Sequence, residues 1–215
     1  MIRCKKENLE WLEFELLQPH LGVKHGVFTR NTDLTLIPNI CSPRQVHGAH
    51  VEIAPFEGEC DGLITLEPGV SLLIRHADCQ AAIFYDPVKK AIANVHCGWR
   101  GSVQNIYANT VQKLVELGCR PKDLLVCISP SLGPEKAEFI NHKTELPESF
   151  LPFQVKENHF DFWQISKWQL KEAGVLEKNI EIARICTFCE EKDFFSYRRD
   201  KKTGRNGTVI ALSKV

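Results

Sequence analysis

Short apolar runs, cut every few residues by Gly, Pro, Asp or Lys, recur along the chain and predict strands. They are Val23–Thr29, Val51–Ala54, Gly62–Leu66, Ser71–Arg75, Ala81–Tyr85, Ile92–His96, Leu124–Ile128, Ile180–Cys186 and Thr208–Leu212, all rich in Val and Ile. Two segments carry the helical period instead. In Ser102–Leu117 the apolar positions Val103, Ile106, Val111 and Leu114 share one face, and Gly118 suits the stop. In Asp161–Ala173, Asp161 and Gln164 form a capping-box pattern, with Gly174 at the end. Gly133–Phe150, with prolines at 134 and 147, predicts an irregular excursion. Strands outnumber helices, and short turns join many of them. The expectation is an α/β fold, a mixed α+β layered single domain over residues 1–215.

Composition narrows the class. The 215 residues carry 27 Lys plus Arg and 27 Asp plus Glu, so the formal net charge is zero. A nucleic-acid binder needs a basic excess, so no nucleic-acid partner is expected. A hydrophobic content of 43% is that of a globular chain, not a disordered one. The start, MIRCKKENLEWLEF, has no apolar signal core, and no run approaches the roughly 18 apolar residues of a membrane span. Nine cysteines, an odd number, do not form a disulfide framework. A cytoplasmic protein with reduced thiols and no membrane partner is expected, most of those thiols acting as small buried hydrophobes.

The exception lies in HADCQAAIFYDPVKKAIANVHCGWRG, residues 76–101. Two apolar runs flank Asp86-Pro87-Val88-Lys89, which predicts an antiparallel hairpin. With Asp86 opposite Lys89, Cys79 faces His96. Pro87 fits a primed two-residue turn poorly, so the register has room to slip by one or two residues. Either way a thiol and an imidazole reach the same end of one hairpin. Such a pair can be an activated nucleophile with its base. It can equally be half of a metal site. A third ligand would come from His47, His50 or His76, and spacing alone does not choose. Gly98-Trp99-Arg100-Gly101 follows, placing an Arg at the start of the predicted helix, a natural place for an anion.

RQVHGAHV, CDGLITLEPGVSLLIRHADC, VHCGWRGSVQNI and FFSYRRDKKTGR, in that order, resemble the YfiH family, also called the laccase-domain or polyphenol-oxidase-like family, which includes the vertebrate protein FAMIN. The resemblance covers roughly residues 23–212. It implies an α/β fold akin to bacterial deamidating toxins. It also implies purine nucleoside phosphorylase activity with adenosine deaminase activity, and one zinc held by His47, Cys79 and His96, the catalytic and metal-binding set. A nucleoside and phosphate would be the small-molecule partners; the oligomeric state stays open. Three ligands and an open position form the catalytic zinc arrangement, suited to activating water against C6 of adenine. Copper is the lesser alternative: multicopper centres use several HxH pairs, and this chain has eight His and no HxH.

The chain departs from the family pattern in places. The segment after Arg30 is abbreviated, Cys97 stands for a usual Ala, His76 for a usual Thr, and the Pro after the ADC motif is absent. Phosphate calls for Arg, whose planar fork matches it. Arg30 and Arg100 lie in matched motifs and rank first, before Arg44, Arg198, Arg199 and Arg205. Asp61 and Asp78 are read as groups supporting the ligands or carrying protons, or as turn caps, with Asp78 also a candidate substrate contact. Trp99, Phe194, Phe195 and Tyr197 can stack a purine or pack the core. Cys186 and Cys189 form a lone CxxC, read as two buried thiols at a strand end. Two other functional classes stay in play: a cysteine hydrolase or deamidase using Cys79 and His96, and a zinc-stabilised interaction module with its fourth position filled.

Overall fold

The run Ala81–Tyr85 shows no polar face because both its faces are covered. The computed structural model describes residues 1–213. In chain order the strands are β1 (Ile2–Lys6), β2 (Leu9–Glu13), β3 (Val23–Phe28), β4 (Ile40–Cys41), β5 (Val51–Ile53), β6 (Gly62–Thr65), β7 (Ser71–His76), β8 (Gln80–Asp86), β9 (Ala91–Cys97), β10 (Leu125–Ile128), β11 (Gln154–Lys156), β12 (His159–Phe160), β13 (Ile180–Ile182) and β14 (Asn206–Leu212). The α-helices are α1 (Trp99–Val103), α2 (Ile106–Glu116), α3 (His142–Glu145) and α4 (Phe162–Glu172). One six-stranded sheet runs β1-β2-β3-β14-β7-β4, the other β13-β10-β8-β9-β6-β5. Successive side chains of a strand point to opposite faces. Ile83 and Tyr85 of β8 therefore enter the layer between the sheets, with Leu72 and Ile210. Ala82 and Phe84 enter the layer under α2 and α4, with Tyr107, Val111 and Leu170. The result is the expected mixed α/β architecture.

Each of the nine predicted strand segments contains a strand. Ile180–Cys186 is cut short after Ile182, and Arg184 takes a left-handed backbone (φ 53°). The predicted helix Ser102–Leu117 divides into α1 and α2 at Asn105, which is left-handed (φ 55°) and accepts the Ala108 N–H to cap α2. Asp161 caps α4 through the Gln164 N–H, as its pattern implies. Gly118 and Gly174 sit at positive φ just past α2 and α4, where only glycine is unstrained. The hairpin β1–β2 went unpredicted: Ile2, Cys4, Leu9 and Trp11 alternate with polar residues, but the runs are short and their turn, Glu7-Asn8, carries no Gly or Pro. It is held at the sheet edge by Arg3, which pairs with Glu10 and Asp193. The excursion Gly133–Phe150 is largely irregular, with one short helix, and lies against an aromatic cluster that includes Phe139, Phe150, Phe160 and Trp168.

His25 gives this fold an acid weakness away from the site. Its Nε2 accepts the Phe14 N–H at 2.8 Å, which requires a neutral ring. Burial pushes its pKa below the ordinary imidazole value and outweighs the upward pull of Glu13. A histidine depressed in the folded state lends stability that is lost as pH falls below about 6.5, the unfolded value. The urea midpoint is expected to drop between pH 7.5 and pH 5. That drop should be smaller in His25→Gln, whose side chain takes up no proton. An unchanged pH dependence in the variant would contradict the assignment.

Candidate metal centre

The hairpin closes differently from the sequence expectation, yet delivers the same pair. Its turn is Pro87–Lys90, so Asp86 pairs with Ala91 and Ala81, not Cys79, pairs with His96. The Asp86 carboxylate accepts the Val88 and Lys89 N–H groups within the turn, and Lys90 is left-handed (φ 55°). The register has slipped by two residues. A slip of one would have put Cys79 and His96 on opposite faces; a slip of two keeps them together as diagonal neighbours. The residue that stands against Cys79 is Gly98. A Cβ there would lie 3.2 Å from Cys79 Sγ and 3.3 Å from His47 Cδ2, so glycine leaves room for the ligand atoms.

His47 arrives on the loop before β5, in a left-handed backbone (φ 62°). That loop is wound around the carboxylate of Asp61, which has no exposed surface. Its two oxygens accept the N–H groups of Val46 (3.3 Å), His47 (2.9 Å) and Gly48 (2.7 Å). Oδ1 also accepts His96 Nδ1 at 2.8 Å. Asp61 is thus the cap of this loop and the partner of His96, a candidate ligand. With His96 Nδ1 engaged by a carboxylate, its Nε2 lone pair is free to face Cys79 and His47.

One ligand atom each of His47, Cys79 and His96 lies within 4.8 Å of the others. The two imidazole rings stand edge to face, 4.8 Å between centroids. His96 is buried, Cys79 half-buried and His47 exposed, so the group opens to solvent on one side. The donor set, two imidazole nitrogens and a thiolate, fits zinc chemically. His50 is not in the group; its Nε2 faces Glu52 at 2.6 Å on the surface. His76 is buried and bonds Thr208 Oγ1 at 2.8 Å, with burial pushing its pKa down to about 3.

Electrostatics prepare the ligands. Burial alone would push the Cys79 thiol up, but hydrogen bonds from His47 and His96 bring it down to about 6. Burial would likewise lower His96, but Asp61 and Cys79 raise it to about 9. Both shifts favour the charged forms of the pair, a thiolate beside an imidazolium, when no metal is bound. Burial works against the Asp61 carboxylate too, and His96 with the Gly48 and Val46 N–H groups hold it below the ordinary carboxylate range.

Two adjoining clefts share Ala77, Cys79 and Tyr197. One, about 630 Å³, holds His47, Cys79 and His96 together with Gln45, Arg75 and Arg205. The other, about 450 Å³, is walled by Trp99, Phe139, Phe162 and Tyr197, with Glu138 and Arg198 at its side. Trp99 and Tyr197, which the sequence left as stacking or core residues, both line this cleft, and Trp99 also packs against the aromatic core cluster. Phe194 is fully buried core, and Phe195 lies under the Arg30 guanidinium at 4.7 Å.

The two arginines ranked first for phosphate lie in neither wall. Arg30 stacks on Phe195 and donates to the Glu191 carbonyl; Arg100 is exposed and stacks on Trp99 at 4.1 Å. Asp78 lines the aromatic cleft, but both its oxygens are engaged. Oδ1 accepts Thr187 Oγ1 and Oδ2 accepts the Arg198 N–H, so it ties loops together. Arg199 caps the carbonyls of Thr187, Phe188 and Phe194 and is structural. Cys186 is half-buried and Cys189 exposed, because they sit in a surface turn past the end of β13 and not in a strand; the expectation of two buried thiols is corrected. Arg75 went unnoticed in the sequence. Its signal was there: one exposed charge inside the otherwise buried strand β7, four residues before the thiol.

Gly101 shows how closely the motif is fitted. A Cβ at this position would lie 2.8 Å from the Gly48 carbonyl oxygen, a backbone atom of the His47 loop. Gly101→Ala is expected to fold, to displace that loop, and to lower metal affinity by about tenfold or more, as loss of an outer support does. Metal analysis after equilibrium dialysis checks it, and metal affinity equal to the unsubstituted chain would count against the fit.

A family model described as multi-copper polyphenol oxidoreductase laccase matches residues 27–213. A purine nucleoside phosphorylase of Bacteroides thetaiotaomicron is 37% identical over 165 residues, 72% of this chain and 61% of that protein. One of Deinococcus radiodurans is 35% identical over 179 residues, 79% of this chain and 69% of that protein. The match therefore spans about three fifths to two thirds of the length of these relatives. The crystal structure of YlmD from Geobacillus stearothermophilus superposes with a TM-score of 0.85 at 24% identity, covering 98% of each chain.

Proposed function

The chain belongs to the multi-copper polyphenol oxidoreductase laccase family, and from that premise we propose that it is a zinc-dependent purine nucleoside phosphorylase with adenosine deaminase activity. The names of the relatives support the reaction class. The observation that carries the reading is the solvent-open His47–Cys79–His96 group set between a cationic cleft and an aromatic one. Zinc is the proposed metal: two imidazoles and a thiolate with an open position suit it, and a chain with no HxH pair lacks the ligands of a multicopper centre. When bound, zinc would supply Lewis-acid polarisation at the junction of the two clefts.

In phosphorolysis a phosphate oxygen forms a bond to ribose C1′ while the C1′–N9 bond breaks. Its electron pair goes to the purine, which takes a proton. The residues of this chain bind and orient. Trp99, Phe139, Phe162 and Tyr197 offer the aromatic wall for the purine. Asp61 holds the His47 loop and the His96 ring in one geometry, which limits reorganisation during reaction. Adenosine and inosine are the proposed nucleosides, with free base and pentose 1-phosphate as products.

Chromatography of both nucleosides with zinc-loaded protein tests this directly. With phosphate, base release is expected from each; without it, only conversion of adenosine to inosine. If both nucleosides survive in the presence of phosphate, the reading fails.

The thiolate–imidazolium pair of the metal-free chain favours one second reading, a cysteine hydrolase with Cys79 as nucleophile and His96 as its partner. Hydrolase activity that survives chelation and is abolished by alkylation of Cys79 would support it. Protection of Cys79 by zinc, with loss of activity on metal removal, would exclude it.

A further inference from the structure

We propose that the cavity beside the His–Cys–His group is the subsite for a tetrahedral oxyanion, inorganic phosphate, and that Arg75 and Arg205 are its binding residues. The proposal rests on the phosphorylase reading and deepens it, since the two arginines ranked first from the sequence, Arg30 and Arg100, lie in neither cleft wall.

Charge balance is the first argument. The wall of the 630 Å³ cavity includes Arg75 and Arg205 and no Asp or Glu. Among the described residues neither guanidinium has a carboxylate within ion-pair distance. By contrast Arg3, Arg44, Arg120, Arg198 and Arg199 each have one. Two uncompensated positive charges in one concave site raise the local potential and attract an anion.

Donor geometry is the second. Arg75 uses Nη1 on Ser42 Oγ (2.9 Å), and Arg205 uses Nη1 on the carbonyls of Thr203 and Gly204 (both 3.0 Å). Among the described residues, the Nε and Nη2 donors of both side chains have no protein acceptor. Those two donors form the edge of the guanidinium that grips an oxyanion with parallel bonds.

Placement is the third. The Arg75 backbone is locked to Gln45 by two hydrogen bonds, N–H to Oε1 (3.0 Å) and Nε2 to the carbonyl (2.7 Å). Gln45 stands two residues before His47, so the guanidinium and the metal-site loop are held in one frame. The aromatic cleft is the poorer choice for phosphate. Its wall carries Asp78, Glu138 and Glu145, Arg198 there lies near Glu138, and Lys201 is spent on the Tyr197 ring at 4.2 Å. Anion and purine would then enter adjoining clefts and meet at the shared wall of Cys79 and Tyr197.

Calorimetric titration of the zinc-loaded chain with inorganic phosphate, without nucleoside, tests the assignment apart from any turnover. Arg75→Gln and Arg205→Gln are each expected to weaken phosphate binding by about tenfold or more, the scale of losing charge-assisted hydrogen bonds. Arg75→Lys, which keeps charge but not the fork, should fall between; Arg198→Gln should stay within about twofold. In turnover the same two variants should raise KM for phosphate and leave KM for the nucleoside near its original value. Unchanged phosphate binding in both variants, or a loss confined to Arg198→Gln, overturns the subsite. Arg75-dependent binding of adenosine 5′-monophosphate with no binding of free phosphate also overturns it, because the cavity would then hold a nucleotide. Should Arg75→Gln fail to fold, Arg205→Gln, on an exposed loop, decides alone. Phosphate binding through both arginines without nucleoside consumption would leave the subsite standing and remove the phosphorylase reading.

Discussion

Cys79→Ala is expected to bind zinc more weakly by over two orders of magnitude and to lose phosphorolysis and deamination together. Losing an outer partner of a metal ligand costs about 10–100-fold in affinity, and losing a ligand itself costs more. The thiolate is the one anionic donor among the three, and it is formed in advance because His47 and His96 hold its pKa near 6. Stability should change little, since Cys79 is only half-buried and lies just outside β8. This variant alone does not separate the metal reading from the nucleophile reading, for both lose Cys79. His47→Ala does. His47 is exposed and lies outside the Cys79–His96 pair, so a hydrolase built on that pair would retain activity, with its pH profile moved upward because His47 no longer lowers the Cys79 pKa. The metal reading expects His47→Ala to fall with Cys79→Ala, in zinc content and in rate. Full activity in His47→Ala with no bound metal would end the metal reading.

How much of this was legible follows from which signals are local. The β8–β9 hairpin was read from two apolar runs and a turn, and its register was wrong by two residues. The error was harmless because strand faces repeat every two residues, so parity survived and the Cys79–His96 pair with it. The third ligand was not legible from spacing, since His47, His50 and His76 all sit near strand ends; the family motif chose His47, and the loop wound on Asp61 shows how it gets there. The arginines failed for the opposite reason. Arg30 and Arg100 were ranked by motif, but a guanidinium reaches several ångströms from its backbone. Its destination is set by tertiary neighbours, Phe195 and Trp99, which the sequence does not place beside them. Arg75 carried a local signal, a charge inside an apolar strand, and stood within the segment that ends on Cys79, yet it was not ranked. The turn of hairpin β1–β2 and the split of the long helix each needed a left-handed residue, Glu7 and Asn105, that no Gly announced.

Asp61→Asn should be the most damaging conservative change in the chain. The side chain keeps its shape, but one oxygen becomes an NH₂ donor. Oδ1 receives the His47 N–H and His96 Nδ1–H, and Oδ2 receives the Gly48 and Val46 N–H groups. Whichever way the amide turns, a donor faces donors in a site with no solvent to relieve it. Hydrogen bonds to a charged group are worth about 1.5–3 kcal/mol each, so a loss of about 2–4 kcal/mol of folding stability is expected. Metal affinity should fall by about 10–100-fold even in the folded fraction, because the His47 loop and the His96 ring lose their common anchor. The pH dependence gives the effect a signature. A carboxylate held below its ordinary pKa lends stability that is present above about pH 4 and is lost as pH falls through the lower folded value. The gap between Asp61→Asn and the unsubstituted chain should therefore be widest near neutrality and narrow in acid. Urea unfolding from pH 7 to pH 3 measures it. A gap that stays constant over that range would mean that the charge of Asp61 contributes nothing. A variant that retains zinc affinity would mean that the loop holds His47 in place without the carboxylate.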